Sequence, residues 1–381
     1  MAKEVPLLTA LALFCATVSA IAAGCIPNEI AVNRDGTIAL CLDGDGEYKF
    51  IPGDEARDIY ITDGAGSFLK RLTTDGKQKL WPHWSPDGKR LVYVRNDGSG
   101  MWSIVVVDAG TREEKALHTE SANMVWTARW APDGKSIAYT VAEKDKLCRV
   151  KVIRVESGKV TAGPQDRLAW FCCWSAKRNQ LICIEGSELD NDVVVGELKT
   201  IQPGEMKGEG LAAGFFHPYS LLAESPDGRT VAFSAIPCAS PASKESRRDF
   251  DGESGIYRLD ASAGRLSRLS SPDKFGFFPA FSPDGKMISW LESSKEMDDG
   301  DVWIETIESG EKKVLVAQGN ASYPFWISAE KLGFFAKSQA GDVLFVKDVK
   351  TGETTNLSDL INARFKELGG QEEAKEGKRE D

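Results

Sequence analysis

Short runs of β-branched and aromatic residues, separated by polar turns, recur along almost the whole chain. Clear examples are residues 91–94 (LVYV), 137–140 (IAYT) and 231–234 (VAFS), each of which directly follows a turn containing Pro, Asp and Gly. Residues of this kind are enriched in strands, and Pro, Asp and Gly end them. No segment of comparable length shows helical periodicity. The pattern therefore predicts a chain built almost entirely from short antiparallel strands.

The turn is the most regular feature of the sequence. It reads WSPDGK at 84–89, WAPDGK at 130–135, SPDGR at 225–229 and FSPDGK at 281–286, with degenerate copies near 33, 174 and 326. Pro presets φ at the first central position, Asp suits the next, and Gly accepts the left-handed conformation that closes the hairpin. Each copy is therefore predicted to be the tip of an antiparallel hairpin.

Two further strands follow the hairpin in most repeats. Third strands are predicted at 58–61, 102–107, 255–259, 301–304 and 342–346, and fourth strands at 69–73, 266–270 and 354–358. Four short antiparallel strands in each unit of about 40 to 50 residues are typical of a β-propeller blade.

The hairpin motif, followed by an Ile-Tyr strand and a Leu-x-x-Leu-Thr strand, resembles the PD40 repeat of TolB-like, WD40-type β-propellers. The resemblance extends from about residue 30 to residue 357. It implies an all-β ring of four-stranded antiparallel blades. The repeats number seven, and the degenerate first and last copies leave six and eight blades as alternatives. TolB itself has six blades and a separate α/β domain, and neither is evident in this sequence.

The chain divides into three parts. Residues 1–24 resemble a signal peptide, because Lys3 precedes a 17-residue apolar run at 7–23 that is too short to span a membrane. Residues 22–25 (AAGC) resemble a lipobox, although Ala22 stands where Leu is usual, so both an ordinary and a lipoprotein-type signal stay open. In the second case Cys25 would be acylated. Residues 25–360 form the propeller, and 361–381 form a charged tail.

These features predict an exported protein of the bacterial periplasm or cell-envelope surface, which touches the membrane only through an N-terminal lipid. The chain has 47 Lys and Arg against 57 Asp and Glu, a formal charge of −10. Such a balance disfavours nucleic-acid binding. We expect a monomer that binds a protein or peptide partner and needs no cofactor.

The cysteines suggest one disulfide. In the fourth repeat, the strands flanking residues 174–180 bring Cys172 or Cys173 opposite Cys183. An oxidising compartment favours a bond between such neighbours. We predict the pair Cys172–Cys183.

Aromatic residues form two series. The first, at positions 84, 130, 174, 281 and 326, recurs once in each repeat and is expected to pack between blades; Glu224 interrupts it and should be paired or near water. The second is expected near one mouth of the channel, where it could bind a partner: Trp81, Trp126, Trp170 and Phe277. Arg247 and Arg248 lie in an unusually long connection and are a further candidate surface.

Evidence for catalysis is weak in the sequence. No Gly-x-Ser-x-Gly motif occurs, and we expect the chain to lack the hydrolase domain that some prolyl peptidases attach to a similar propeller. His83 and His217 fall near inner strands and could join carboxylates at a metal site, as in polyuronate lyases built on related propellers. A non-catalytic envelope scaffold is the first hypothesis, and a carbohydrate-active lyase or hydrolase is the alternative.

Overall fold

The computed structural model describes residues 30–43, 56–143, 148–162, 168–189, 193–203, 208–216, 222–237, 254–294, 299–338 and 341–376. Within these ranges the chain forms 27 β-strands and one C-terminal helix. Every strand pair is antiparallel, and consecutive strands pair in groups of four, which we call blades 1 to 7.

The first three blades are separate four-stranded sheets. Blade 1 contains β1 (Ile30–Val32), β2 (Ile38–Asp43), β3 (Arg57–Thr62) and β4 (Leu69–Arg71). Blade 2 contains β5 (Gln78–Trp84), β6 (Arg90–Asn96), β7 (Met101–Asp108) and β8 (Glu114–Ser121). Blade 3 contains β9 (Met124–Trp130), β10 (Ser136–Ala142), β11 (Cys148–Arg154) and β12 (Val160–Ala162).

The remaining strands also group by fours but are linked into two larger sheets. Blade 4 contains β13 (Leu168–Trp174), β14 (Leu181–Leu189), β15 (Val193–Ile201) and β16 (Gly208–Phe216); blade 5 contains β17 (Ala223–Glu224), β18 (Thr230–Pro237), β19 (Gly255–Asp260) and β20 (Arg265–Arg268). Blade 6 contains β21 (Phe275–Phe281), β22 (Met287–Ser293), β23 (Gly300–Thr306) and the first part of β24 (Glu311–Trp326); blade 7 contains the rest of β24, β25 (Lys331–Ser338), β26 (Gly341–Asp348) and β27 (Thr354–Asn356).

The recurring turn closes each hairpin by the same hydrogen bonds. In blade 2 the Ser85 hydroxyl donates to Asp87 at 2.6 Å and accepts the amide of Arg90 at 2.9 Å. Gly88 has a φ of 69° and donates its amide to the Ser85 carbonyl. Blades 5 and 6 repeat these contacts around Ser225 and Ser282. The predicted hairpin tips are therefore confirmed, because Ser, Asp and Gly each satisfy a defined need of the turn.

The first aromatic series packs between blades, as predicted. Trp84, Trp130 and Trp326 are buried. The Trp174 indole donates to the carbonyl of Arg129 in the preceding blade at 3.0 Å, and the Trp326 indole donates to the carbonyl of Ala280 at 3.1 Å. The Trp174 and Trp326 rings thus also satisfy a backbone acceptor of the neighbouring blade, whereas the buried indole N–H groups of Trp84 and Trp130 have no acceptor among the described residues.

The helix α1 (Leu357–Glu376) joins the end of blade 7 to blade 1. Leu357 and Ile361 are fully buried, and the Phe365 ring lies 5.4 Å from the Tyr60 ring of blade 1. The residues at i, i+4 and i+8 share one helix face, so this segment has more apolar surface to bury than its charged composition indicated. The charged segment predicted from residue 361 begins within this helix, and its first residues are docked on the propeller.

Within the described residues, blades 1 and 7 meet by packing, and no strand of one pairs with a strand of the other. A Cβ atom at Gly36 of blade 1 would lie 3.5 Å from the carbonyl oxygen of Ile327 in blade 7. The all-β propeller class predicted from the repeats is confirmed. In the part of the chain that the structure describes, no helix is both long and apolar enough to cross a bilayer.

Candidate functional site

The innermost strand of five blades contains a one-residue β-bulge. The register shifts by one residue within β5, β9, β13, β21 and β24. In four of these strands the bulged residue stands three positions before the repeat aromatic and has positive φ: Trp81 (58°), Thr127 (50°), Phe278 (55°) and Tyr323 (50°). Such angles are uncommon for bulky residues, and a bulge changes the direction in which neighbouring side chains point.

The bulges were not predicted, although the sequence contains a signal for them. Pro82, Pro279 and Pro324 each follow a bulged aromatic residue inside an inner strand. Because proline cannot donate to a strand ladder, proline within a strand marks an edge or a bulge. An aromatic-proline pair ahead of the repeat aromatic therefore identifies this position.

A cavity of about 270 Å³ lies between the inner strands of blades 1, 2, 3 and 7. We call it the axial pocket. Its lining is Ile30, Ala31, Val32, Trp81, Pro82, His83, Thr127, Ala128, Arg129, Phe325 and Trp326. Aromatic and aliphatic side chains dominate, with one arginine and one histidine among them. None of these residues is acidic.

His83 is a neutral, half-buried imidazole. Its Nδ1 atom accepts the backbone amide of Trp130 in the next blade at 3.4 Å. Burial lowers its pKa to about 3, and the nearby cation of Arg129 acts in the same direction. The ring therefore stays uncharged at neutral pH, and the accepted hydrogen bond leaves the proton on Nε2.

Arg129 is half-buried in the same pocket. Burial lowers the pKa of its guanidinium, but an arginine remains a cation at neutral pH. Among the described residues its guanidinium has no carboxylate within 4.0 Å and donates no hydrogen bond. Trp81, which is 5% exposed, has a buried indole N–H that likewise finds no acceptor in the described part of the chain. Within the described residues, the pocket lining therefore carries one positive charge that no carboxylate matches.

Three members of the second aromatic series have described side chains, and all three are buried in the main core: Trp81, Trp126 and Phe277. Trp81 also lines the axial pocket, whereas Trp126 and Phe277 occupy a ladder position one residue earlier in the repeat. The bulge separates the two positions, which is why equal-looking spacing in the sequence was misleading. Trp170 lies on β13, and its side chain is outside the described part.

Several other predicted site residues also fall outside the described residues: Cys25, His217, Arg247 and Arg248. The proposed pairing of His83 with His217 is therefore not tested. Where the chain is described, no group of three or more His, Cys, Asp or Glu side chains is arranged to hold a metal ion.

Cys172 and Cys183 are directly opposite each other on β13 and β14. Such residues have Cα atoms about 4.5–5.5 Å apart, within the span of a disulfide. Both are free thiols here. A hydrogen bond with Cys183 lowers the pKa of Cys172, and burial raises the pKa of Cys183. The disulfide stays a prediction, and the strand register that it requires is present.

Glu224, which interrupts the first aromatic series, is paired as expected. Its carboxylate accepts the Ser175 hydroxyl at 2.7 Å and the backbone amide of Ala176 at 2.6 Å. The residue thus caps the turn of blade 4 from blade 5, and its charge is satisfied by hydrogen bonds.

The described residues contain no pairing of a histidine with a nucleophile. His83 accepts a backbone amide, and His118 lies 2.9 Å from Glu120 on the outer strand of blade 2. A nucleophile activated by a base requires the two side chains within hydrogen-bond distance.

No protein-family model matches the chain. Dipeptidyl-peptidase 5 of Porphyromonas gingivalis is 24% identical over 344 residues, covering 87% of this chain and 47% of that protein. Dipeptidyl-peptidase 5 of Schizosaccharomyces pombe is 22% identical over 309 residues, covering 77% of this chain and 41% of that protein. The chain spans less than half the length of these curated relatives.

Solved structures share the fold. A prolyl endopeptidase has a TM-score of 0.61 at 13% identity, covering 92% of this chain and 53% of that one. An oligogalacturonate lyase with manganese also has a TM-score of 0.61, at 14% identity, with 84% and 87% covered. The propeller domain of the trilobed protease of Pyrococcus furiosus has a TM-score of 0.59 at 15% identity, with 86% and 96% covered.

These comparisons correct the functional prediction. The expectation of a non-catalytic scaffold is wrong, because the curated proteins that match most of the chain are named as peptidases. Repeat architecture alone could not show this, since one fold serves many functions. The chain is a β-propeller of the kind its repeats predicted, and its similar proteins include peptide hydrolases.

Proposed function

We propose that this chain functions in peptide hydrolysis, as the propeller of a dipeptidyl-peptidase-like hydrolase whose axial pocket receives a short peptide. The observation that carries the proposal is the match of 87% of the chain to a protein named dipeptidyl-peptidase 5. That match covers 47% of the relative's own length.

The pocket has the properties that peptide binding requires. Its volume of about 270 Å³ is close to the lower end of the usual range for small-ligand sites, about 300–1,000 Å³. Phe325 and Trp81 offer aromatic walls for apolar side chains, and Arg129 offers a charged contact. Rigid inner strands from four blades hold these groups, so the site is largely formed before a ligand arrives.

The described residues suit binding and orientation of the peptide rather than attack on its amide bond. Neither described histidine contacts a nucleophile. In this proposal the groups that break the bond lie outside the described residues, and the propeller selects which peptides reach them. Placing a substrate correctly contributes to the rate because it removes the entropy cost of finding the reactive geometry.

The test is hydrolysis of dipeptidyl 4-nitroanilides by the native protein, isolated in whatever molecular form it occurs. We expect release of 4-nitroaniline with saturable kinetics and inhibition by free dipeptides. Replacing Phe325 by Leu should raise KM several-fold, because a pocket wall is lost. The matched change Phe68→Leu, at an aromatic residue 41% exposed, should leave KM unchanged. A native preparation that neither hydrolyses these substrates nor binds dipeptides would overturn the proposal.

We also propose that the protein is exported and anchored through Cys25. The support is the AAGC motif that follows the apolar leader. Labelling with radioactive palmitate should mark the wild-type chain and not Cys25→Ala, and the variant should leave the membrane fraction. Equal labelling of both proteins would contradict the anchor.

A further inference from the structure

Charged residues in the interior of this propeller generally have partners of opposite charge. Lys79, with a fully buried side chain, contacts Asp58 at 3.0 Å and also Asp75. Arg149, with a side chain only 4% exposed, contacts Glu143 at 2.7 Å. Such pairing is expected, because a buried charge without a partner is costly.

Arg129 departs from this rule. In the described part of the molecule it has no ion pair, and the pocket that it lines contains no Asp or Glu. Its position is fixed by the strand: its carbonyl accepts the Trp174 indole, and the residue lines the pocket. The unmatched cation therefore faces a cavity of about 270 Å³ rather than a protein carboxylate.

Two further nitrogen-bearing side chains accompany the guanidinium in the lining. The Trp81 indole N–H is buried and has no acceptor among the described residues. His83 is neutral and carries its proton on Nε2, because Nδ1 accepts the amide of Trp130. One cation in a lining without acidic residues suits a group of charge −1 with two oxygens. A phosphate, with nearly two charges at neutral pH, would need a further cation.

We propose that the axial pocket binds the C-terminal carboxylate of a short peptide, with Arg129 as the residue that recognises it. Guanidinium and carboxylate are matched in shape and can form two parallel hydrogen bonds. Phe325 and Trp81 then lie beside the last side chain of the peptide. The identity of the ligand as a peptide rests on the proposed function, while the carboxylate chemistry rests on the pocket itself.

The test is calorimetric titration of the full chain with three probes: the dipeptide Ala-Phe, its C-terminal amide, and acetate. Wild type should bind Ala-Phe about tenfold to a hundredfold more tightly than the amide, as expected for hydrogen bonds to a charged group. This preference needs no variant, so it can be measured even if a substitution impairs folding. Equal binding of acid and amide would overturn the proposal.

Variants then assign the preference to one residue. Arg129→Met should bind the acid and the amide equally, and Arg129→Lys should retain part of the preference. Arg154→Met removes an exposed arginine from β11 of the same blade and should behave as wild type. An Arg129→Met protein that melts as wild type does and keeps the full preference would show that Arg129 is not the carboxylate-binding residue.

The remaining outcomes separate the inference from the proposed function. If acetate binds as tightly as Ala-Phe, the pocket serves a small free acid, and the peptide part of the inference fails. If the acid preference depends on Arg129 but dipeptidyl 4-nitroanilides are not hydrolysed, the carboxylate site stands and the peptidase proposal falls. If dipeptidyl 4-nitroanilides are hydrolysed but Ala-Phe and its amide bind equally, the peptidase proposal stands and the carboxylate site falls.

Discussion

Replacing Lys79 by methionine would remove the most completely buried cation in the described part of the propeller. Its ammonium group joins blade 1 to blade 2, because its three N–H groups are shared among Asp58 at 3.0 Å, Asp75, and the carbonyls of Arg57 and Lys77 at 3.1 Å each. Methionine has a similar length and keeps the packing of the side chain. The substitution therefore isolates the polar contacts.

The expected loss of stability depends on the buried carboxylates that lose their partner when Lys79 is replaced. Breaking a buried ion pair by removing one partner costs about 3–5 kcal/mol. Asp58 keeps Arg71 at 2.5 Å and the Thr73 hydroxyl at 2.8 Å, so the lower value, about 3 kcal/mol, is expected. For a propeller of roughly 350 residues, the unfolding entropy is about 0.7 kcal/mol per kelvin, so the melting temperature should fall by about 4 °C.

The assay is thermal and urea unfolding of wild type, Lys79→Met and Lys89→Met. Lys89 lies exposed in the adjacent turn, and its replacement should change stability by less than about 0.5 kcal/mol. Adding Asp58→Asn to Lys79→Met should cost less than the sum of the two single changes. A Lys79→Met protein as stable as the Lys89→Met control would refute the reasoning that this cation holds two blades together.

Three further predictions concern other parts of the ring. Gly66→Ala should destabilise the protein by more than the roughly 1 kcal/mol expected for Gly76→Ala. Both glycines have positive φ, but only at Gly66 would the new Cβ lie 2.6 Å from a side chain of helix α1. Equal urea midpoints for the two variants would argue against a docked helix. The pKa of His83 is lower in the folded protein than in the unfolded chain, so its contribution to stability is complete above the unfolded pKa of about 6.5 and is lost as the pH falls toward about 3. Wild type should therefore lose stability over this pH range more steeply than His83→Gln. Parallel curves of stability against pH would contradict this prediction. Mild oxidation should join Cys172 to Cys183, and unreduced peptide mass spectra with both thiols still free would show that strand register is insufficient.

The strand architecture could be predicted because its determinants are local. The hydrogen bonds that Ser85, Asp87 and Gly88 make in the turn all lie within six residues of sequence. The motif itself therefore specifies the hairpin. The helix could not be predicted in the same way. The helix is buried because Ile361 is in the core and Phe365 packs against blade 1, which is almost the whole chain away in sequence. The residues around them are mostly charged, so the local sequence does not indicate this contact.

The site was predicted only in part, for a geometric reason. Trp81 and His83 were identified as candidates, but Arg129 was not, although it occupies the same repeat position as His83 and Phe325, directly before the repeat aromatic. All three residues line the axial pocket. The bulge that turns this position toward the axis is a backbone feature, and without it the sequence does not show which residues face the channel.

A crystal structure of the chain with Ala-Phe tests the central claim most directly. The account predicts the dipeptide in the axial pocket, with its carboxylate oxygens within hydrogen-bond distance of the Arg129 guanidinium and its aromatic ring against Phe325 or Trp81. A dipeptide bound elsewhere on the propeller, or held in the pocket by its amino group with Arg129 uninvolved, would contradict it.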